Sequence, residues 1–232
     1  MIVVGDLHGT FRQLEKIIAS TDEKIIIQVG DFGLGFMPVD AQVKVLNTLN
    51  EKLKFHNKYL YAIRGNHDDP FYWDNANSID EAFTNMHLVP DYTVHVLEGQ
   101  SILFVGGALS IDRKVRTEGK DYWKDEVFDY DEDKLNTQLM LHPNIDIVIT
   151  HTAPHFCYPT RFNDLVFSYA IHDKSLLDEL RAERLSMARM YDVICHKSRP
   201  GYWVYGHMHS SYTQNIDGTE FVLLNIGETI VI

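Results

Sequence analysis

The stretch that decides the fold is the N-terminal segment Met-Ile-Val-Val-Gly-Asp-Leu-His-Gly, residues 1–9. Its β-branched run, Ile2–Val4, predicts a buried strand, and Gly5-Asp6 predicts the turn that ends it. Thr10 can then cap a helix over 11–20, where apolar residues recur every three or four positions. The chain is therefore expected to open with a strand, a short polar loop and a helix.

This strand, loop and helix pattern repeats along the first half of the chain. Residues 25–29 form a second β-branched run that ends on Gly30-Asp31, and a helix is predicted over 39–55. Residues 59–63 form a third strand, just ahead of Gly65-Asn66. Alternation of strands and helices predicts parallel β-α-β units in a sheet that is buried on both faces.

The second half of the chain is richer in strands. Paired strands are predicted at 92–96 and 102–105, a buried strand at 145–149, a helix over 174–190, and four tail strands at 202–205, 212–216, 220–224 and 229–232. Two stretches, 107–140 and 152–173, are polar-aromatic and too long for simple connections, so we expect either functional inserts or caps that cover the core. No linker divides the chain, and a single domain over residues 1–232 is expected.

The composition favours a protein that binds cations. The chain has 21 Lys and Arg against 33 Asp and Glu, a formal net charge of −12, together with 12 histidines. This charge disfavours proteins that track a nucleic-acid backbone or an anionic membrane, because both tasks need a positive face. The 45% of hydrophobic residues excludes a disordered chain.

The cysteines and the N-terminus indicate a reducing compartment. Cys157 and Cys195 could form one bridge at most, and they lack the Cys-x-x-Cys spacing of thiolate sites. The N-terminus has no basic segment ahead of a long apolar run, and no stretch approaches the roughly 20 apolar residues of a membrane span. We therefore expect a cytoplasmic protein that does not associate with membranes.

Side chains that can bind metals follow the predicted strands, at the point where each strand ends. They are Asp6, His8, Asp31, Asn66, His67, Asp68, His151, His207 and His209. In open α/β sheets ligands bind beyond the carboxyl ends of the strands, so we expect these side chains to converge. A set of Asp, Asn and His without Cys suits Mn²⁺, Fe or Zn²⁺. Any one of the motifs alone is equally typical of a turn or a helix cap, whereas the ordered set predicts a metal centre.

The ordered motifs resemble those of the calcineurin-like metallophosphoesterase superfamily. The matching segments are Gly5-Asp6-Leu7-His8-Gly9, Gly30-Asp31, Gly65-Asn66-His67-Asp68, His151 and Gly206-His207-Met208-His209. The resemblance extends over nearly the whole chain. It implies an α/β fold, a four-layer α/β/β/α sandwich with mixed sheets, and a dinuclear metal centre at the sheet edges.

The resemblance also implies a role for each residue. One divalent ion would be held by Asp6, His8, Asp31 and His209, and the other by Asp31, Asn66, His151 and His207, with Asp31 as the bridge. A hydroxide between the two ions would attack phosphorus in line. His67, paired with Asp68, would give the leaving group its proton. Mn²⁺ is the ion expected to support activity in vitro.

Three arginines are candidate phosphate contacts. Arg64 lies beside the third motif, and Arg113 and Arg116 lie in a segment that resembles a recurring insert of bacterial and phage-type members of the superfamily. Arginine binds phosphate through two parallel N–H donors. The alternative is a surface cation at Arg64, and surface ion pairs of Arg113 and Arg116 with the acidic run 118–133.

The expected function is metal-dependent hydrolysis of a phosphomonoester or phosphodiester, with nucleotides or modified phosphoproteins as candidate substrates. The second motif, Gly30-Asp31, leads into the uncharged residues 32–36 and lacks the Asp-Arg-Gly run of the protein phosphatases, which disfavours that branch. Two alternatives stay open. One is a nuclease of the same superfamily, although the net charge disfavours long nucleic acid, and the other is a catalytically silent, metal-binding interaction scaffold.

Overall fold

The computed structural model describes all 232 residues, which form eleven strands and seven helices. The first part of the chain contains β1 (Ile2–Val4), α1 (Phe11–Ser20), β2 (Ile25–Gln28), α2 (Val39–Phe55), β3 (Tyr59–Ala62), α3 (Phe71–Asp74), α4 (Ala76–Ala82) and β4 (Met86–Leu88). The second part contains β5 (Thr93–Leu97), β6 (Gln100–Val105), α5 (Glu132–Leu141), β7 (Ile147–Thr150), α6 (Asp164–Ala170), α7 (Leu176–Lys197), β8 (Tyr202–Tyr205), β9 (Tyr212–Ile216), β10 (Thr219–Leu223) and β11 (Thr229–Val231).

The strands form two mixed sheets. In the first, with the order β11-β1-β2-β3-β4, only β11 runs antiparallel to its neighbour. In the second, with the order β5-β6-β7-β8-β10-β9, the four inner strands are parallel and the two edge strands are antiparallel. The parallel strands of each sheet therefore end at a common edge, and the predicted β-α-β units are confirmed.

The two sheets pack face to face between two layers of helices. Because successive residues of a strand point to opposite faces, Ile2 and Val4 of β1 belong to a core shared with α1 and α2, whereas Val3 belongs to the core between the sheets. In β6, Phe104 lies between the sheets and Val105 belongs to the core shared with α5 and α7. Three buried cores separate four layers, which confirms the expected α/β/β/α sandwich.

Two local details differ from the sequence-based prediction. The helix predicted over 174–190 continues to Lys197, because residues such as Ile194 keep its inner face buried. Thr10 does not cap α1, since its hydroxyl donates to the carbonyl of Leu7 instead of accepting from a helical N–H.

The two stretches without predicted elements each contain a helix. α5 lies at the end of the segment 107–140, and α6 lies within the segment 152–173. α6 is a seven-residue helix in which no residue is fully buried, and its apolar face is limited to Val166, Tyr169 and Ala170, too few positions to mark a helix in the sequence. The short elements α3, α4 and β4 also went unpredicted.

The structure contains no disulfide bond and no helix suited to a membrane span. Cys157 and Cys195 are both free thiols, as the sequence predicts. None of the helices combines the length and the apolar character that a bilayer crossing requires.

Phe104→Ala is expected to lower the free energy of unfolding by about 3–5 kcal/mol, because the fully buried ring lies between the sheets and its removal leaves a cavity. Urea denaturation followed by circular dichroism measures the change. The control, Val96→Ala, changes an exposed position of β5 and should cost less than about 0.5 kcal/mol. Equal losses in the two variants would contradict the layer assignment.

Candidate metal centre

The candidate ligands converge where the parallel strands of both sheets end. Asp6 follows β1, Asp31 follows β2, His151 follows β7 and His207 follows β8. Their donor atoms form two groups, and within each group all atoms lie within 4.8 Å of one another. The groups are Asp6, His8, Asp31 and His209, and Asp31, His151 and His207. Asp31 belongs to both.

Backbone strain is concentrated at these residues. The φ angles of His8, Asp31, His207 and His209 are 44°, 57°, 67° and 46°. This left-handed region costs a residue other than glycine roughly 1–3 kcal/mol, and such strain persists only where the surrounding structure enforces it. Four strained residues in one cluster of candidate ligands indicate a functional site.

In the first group two imidazoles meet directly, beside two buried carboxylates. The Nε2 atoms of His8 and His209 lie 2.9 Å apart. His8 Nε2 also lies 3.6 Å from Oδ2 of Asp31, and His209 Nε2 lies 3.4 Å from Oδ2 of Asp6. Asp31 Oδ2 is buried and has no hydrogen-bond partner. An unpartnered buried carboxylate oxygen costs free energy, and a cation among these donors would satisfy it, so the residues fit a metal ion.

In the second group the donors are oriented by neighbours outside it. His151 Nδ1 lies 2.8 Å from the carbonyl oxygen of Val29, which assigns the ring proton to Nδ1. His151 Nε2 points into the group, 3.2 Å from Oδ1 of Asp31 and 3.1 Å from Oδ1 of Asn66. Asn66 Nδ2 donates to Ser110 Oγ at 2.9 Å, and this bond turns the amide oxygen toward the group.

Glu126, a fully buried carboxyl, lies beside Ser110. Burial raises the pKa of Glu126 to about 7. Sequence reasoning missed both residues as supports of Asn66, although Ser110 lies in the insert that resembles those of other superfamily members.

The charges of the second group are coupled. Burial alone would lower the pKa of His151, but Asp31 outweighs burial and raises that pKa to about 9, so a metal ion at His151 would have to displace a proton. Burial alone would raise the pKa of Asp31, but the facing His151 outweighs burial and holds that pKa well below its usual range. Burial, reinforced by the charge of His151, lowers the pKa of His207 well below its usual value. Divalent ions bind ionised carboxylates and neutral imidazoles, which are the forms that Asp31 and His207 adopt.

Asp68 does not pair with the ring of His67, so that expectation is wrong. Its carboxylate accepts four backbone hydrogen bonds at 2.7–3.1 Å, from the N–H groups of Phe32, Gly33, Leu34 and Gly65. Burial and the neighbouring Asp31 raise the pKa of Asp68 to about 7 even though these donors favour the anion. Asp68 therefore ties the loop after β2 to the loop after β3.

His67 contacts Arg116 instead. Nη2 of Arg116 lies 2.6 Å from Nε2 of His67, and Nε of Arg116 pairs with Asp112 at 2.8 Å. The His67 ring packs edge-on against His8 with the ring centroids 4.8 Å apart, so His67 lies beside the candidate ligands. Burial, with Arg116 adding to it, lowers the pKa of His67 to about 4. Asp112 is a third residue that sequence reasoning missed.

The structure corrects the expectation for Arg64 and Arg113. Arg64 is buried, pairs with Asp91 at 2.6 Å and donates to the backbone carbonyls of residues 125–127. Arg113 pairs with Asp173 at 2.6 Å and with Glu179 of α7. Both guanidinium groups hold the insert to the rest of the protein and do not reach the centre.

A cavity of about 470 Å³ opens from the centre. Asp31, His67, Arg116 and His207 are among the residues that line one part of it. Glu183 of α7 also lines the cavity, and its buried Oε2 atom has no hydrogen-bond partner. No motif marks Glu183, because it lies inside a long helix with an ordinary alternation of apolar and charged residues.

Fold and site together define an α/β protein with a candidate two-metal centre at its sheet edges. The model of the calcineurin-like phosphoesterase family matches residues 1–211, and the chain belongs to this family of metal-dependent phosphoesterases. No curated protein sequence matches the chain.

Solved structures with the same fold share little sequence with this chain. TT1561 of Thermus thermophilus is 14% identical, with 97% of this chain and 89% of the other covered and a TM-score of 0.60. The phosphopantetheinyl hydrolase PptH of Mycobacterium tuberculosis is 15% identical, with 97% and 89% covered and a TM-score of 0.56. At such low identity these similarities show the fold alone.

Metal-free protein loaded with Mn²⁺ is expected to retain two ions per chain, one for each ligand group. Asp31→Asn should retain neither ion tightly, because Asp31 contributes to both groups, whereas His207→Ala should lose one. Mass-spectrometric metal analysis after desalting gives the stoichiometry. His172→Ala changes an exposed histidine outside the centre and is the control. Two ions retained by Asp31→Asn would contradict the shared carboxylate.

Glu183→Gln is expected to change how stability depends on pH. Burial raises the pKa of Glu183 to about 7, while the unfolded chain has an ordinary carboxyl pKa of about 4.3. Between these values only the unfolded chain releases the proton, so stability falls as the pH rises toward 7. In urea denaturation of metal-free protein, the free energy of unfolding of Glu183→Gln relative to that of the wild type should rise by about 1–3 kcal/mol from about pH 5 to pH 8.

The matched control for this experiment is Glu81→Gln, at an exposed position. Its free energy of unfolding should depend on pH in the same way as that of the wild type over the same pH range. If Glu183→Gln also kept the pH dependence of the wild type, Glu183 would have an ordinary carboxyl pKa in the folded protein, which would contradict the prediction.

Proposed function

We propose that the protein is a two-metal phosphoesterase that hydrolyses a small phosphomonoester or phosphodiester. The single observation that supports this best is the position of Asp31. Its Oδ2 atom faces His8 of one ligand group, and its Oδ1 atom faces His151 of the other. When bound, two divalent ions offset the charge of a phosphate and lower the pKa of a water between them.

In this proposal one ion is held by Asp6, His8, Asp31 and His209, and the other by Asp31, Asn66, His151 and His207. The close approach of the donors within each group supports the assignment, as does the orientation of the Asn66 amide by Ser110. Oxygen and imidazole donors without thiolate suit Mn²⁺, Fe or Zn²⁺, and Mn²⁺ is the ion to use in assays.

The protein's own side chains would bind the phosphoryl group and assist departure of the leaving group. Arg116, fixed by Asp112, lines the cavity and can donate two N–H groups to a phosphoryl oxygen. His67 lies between Arg116 and His8, where its ring can reach the leaving oxygen. The negative charge of a bound substrate would offset the positive charge of Arg116 and so raise the pKa of His67. A protonated His67 could then donate its proton to the leaving group.

Two features disfavour the alternatives. Long nucleic acid would need a positive surface, yet the net charge is −12 and all three candidate arginines are engaged in ion pairs. A silent scaffold would not need a cavity leading to the ligand groups. A small phosphate ester is the favoured substrate, and nucleotides are one candidate class.

The experiment is a parallel assay of the Mn²⁺-loaded protein on p-nitrophenyl phosphate and bis-p-nitrophenyl phosphate. Preference for the first indicates a phosphatase and preference for the second a phosphodiesterase. The double variant Asp31→Asn with His209→Ala should lose turnover of both. Protein that retains metal but hydrolyses neither ester would overturn the proposal.

His67→Ala is expected to lower kcat by about 10²–10⁴-fold, the usual contribution of a positioned acid, while both metal ions are retained. Steady-state rates measured beside metal analysis of the same samples separate the two effects. His142→Ala, a change outside the centre, serves as the control. A variant that loses its metal together with its rate would show that His67 supports the centre instead of the proton transfer.

A further inference from the structure

We propose that the part of the cavity lined by α6 binds the organic group of the substrate and selects phosphate esters that carry an apolar chain or ring of several carbons. The proposal rests on the proposed function, because it concerns the same site. It adds the substrate class, which neither the ligand groups nor the family defines.

Away from the ligand groups the cavity wall is largely apolar. Val166 and Tyr169 of α6 and Leu180 of α7 line it, together with Ile111 and Phe162. The same lining also includes Arg161 and Arg184. The Arg184 guanidinium is already bonded to the backbone carbonyls of Ala153, Pro154 and Cys157. Apolar surface that faces a water-filled cavity favours a ligand group that displaces the water.

The volume of the cavity is larger than a phosphate group needs. At roughly 30 Å³ for each water-sized atom, the five heavy atoms of a phosphate fill about 150 Å³. The cavity measures about 470 Å³, so most of it is left for the organic group. A ligand that fills it therefore extends from the metal centre along the apolar wall.

The hydrophobic cluster beside the cavity is small. Only Leu109, Leu176 and Leu180 form a buried cluster there, and Val166 and Tyr169 are partly buried against it. The three other cores of the protein contain 15 to 19 buried residues each. No residue of α6 is buried, so an apolar ligand would add the contacts that this helix lacks.

A polar group in the wall independently points to a ligand. Glu183 is 8% exposed and lines the same cavity, and its Oε2 atom has no partner. Buried polar atoms in native proteins are nearly always hydrogen-bonded. A hydroxyl or amide on the organic group would supply the missing bond, which favours an organic group with a polar substituent on an apolar body.

The test uses n-alkylphosphonates, which cannot be hydrolysed, from ethyl to hexyl. Their binding to the Mn²⁺-loaded protein is measured by isothermal titration calorimetry. Kd is expected to fall about fourfold for each added methylene until the cavity is filled, which corresponds to about 0.8 kcal/mol per buried CH₂ group. A Kd that does not change with chain length would overturn the proposal.

Val166→Asp places a carboxylate in the apolar wall, and the ratio of the ethyl to the hexyl Kd should then fall to about one. Ile171→Asp adds the same charge at an exposed position just past α6, outside the cavity, and should keep the wild-type ratio. A reduced ratio in both variants would assign the effect to net charge and contradict the proposal.

Failure of this proposal is distinguishable from failure of the proposed function. Turnover of p-nitrophenyl esters combined with a Kd that is independent of chain length would overturn the substrate class and leave the phosphoesterase intact. Absence of both turnover and phosphonate binding in metal-loaded protein would overturn the phosphoesterase, and the substrate class with it.

Discussion

A carboxylate buried in a protein must be matched by opposite charge or by donors, and the site is organised around meeting that need for Asp31. The side chain is 1% exposed. Its backbone carbonyl accepts from the N–H groups of Leu7 and His8, and its Oδ1 atom accepts from the N–H of His67, so it joins the loops that follow the first three strands. Across the centre, His151 brings in the second sheet at 3.2 Å. One residue thus links both sheets and both ligand groups.

The architecture separates stability from function. Three buried cores hold the four layers together, whereas strain is placed in the loops at the sheet edge, where His8, Asp31, His207 and His209 have positive φ. Asp68 fixes the loop after β2 against the loop after β3 by accepting four backbone N–H bonds. Glycine is needed where loops and ligands approach most closely, since a Cβ at Gly206 would collide with the carboxylate of Asp6. The strained conformations persist because a rigid core and a buried carboxylate enforce them.

The sequence was sufficient to predict the β-α-β units and the convergence of the candidate ligands, because strand periodicity and the polar residues after each strand are local features. The four layers were expected only from the resemblance of the motifs to a known family. It was insufficient for the partners of Asp68 and Arg64, which are reached only through the tertiary fold, as in the pairing of Arg64 with Asp91. Glu183 was missed because a buried carboxyl inside a helix looks like any surface glutamate in the sequence. α6 was missed because its apolar face spans only Val166, Tyr169 and Ala170, too short a pattern to mark a helix. The features on which the proposed substrate class rests were therefore the least predictable.

The central claim, that Asp31 joins two metal ions in one centre, is tested most directly by electron paramagnetic resonance during titration of the metal-free protein with Mn²⁺. Two ions that share a carboxylate lie close enough for their spins to couple. The account predicts that the spectrum of an isolated Mn²⁺ ion is replaced by that of a coupled pair as the second equivalent binds, and that Asp31→Asn abolishes the coupled spectrum. A saturated wild-type protein whose spectrum is only the sum of isolated ions would contradict the shared centre.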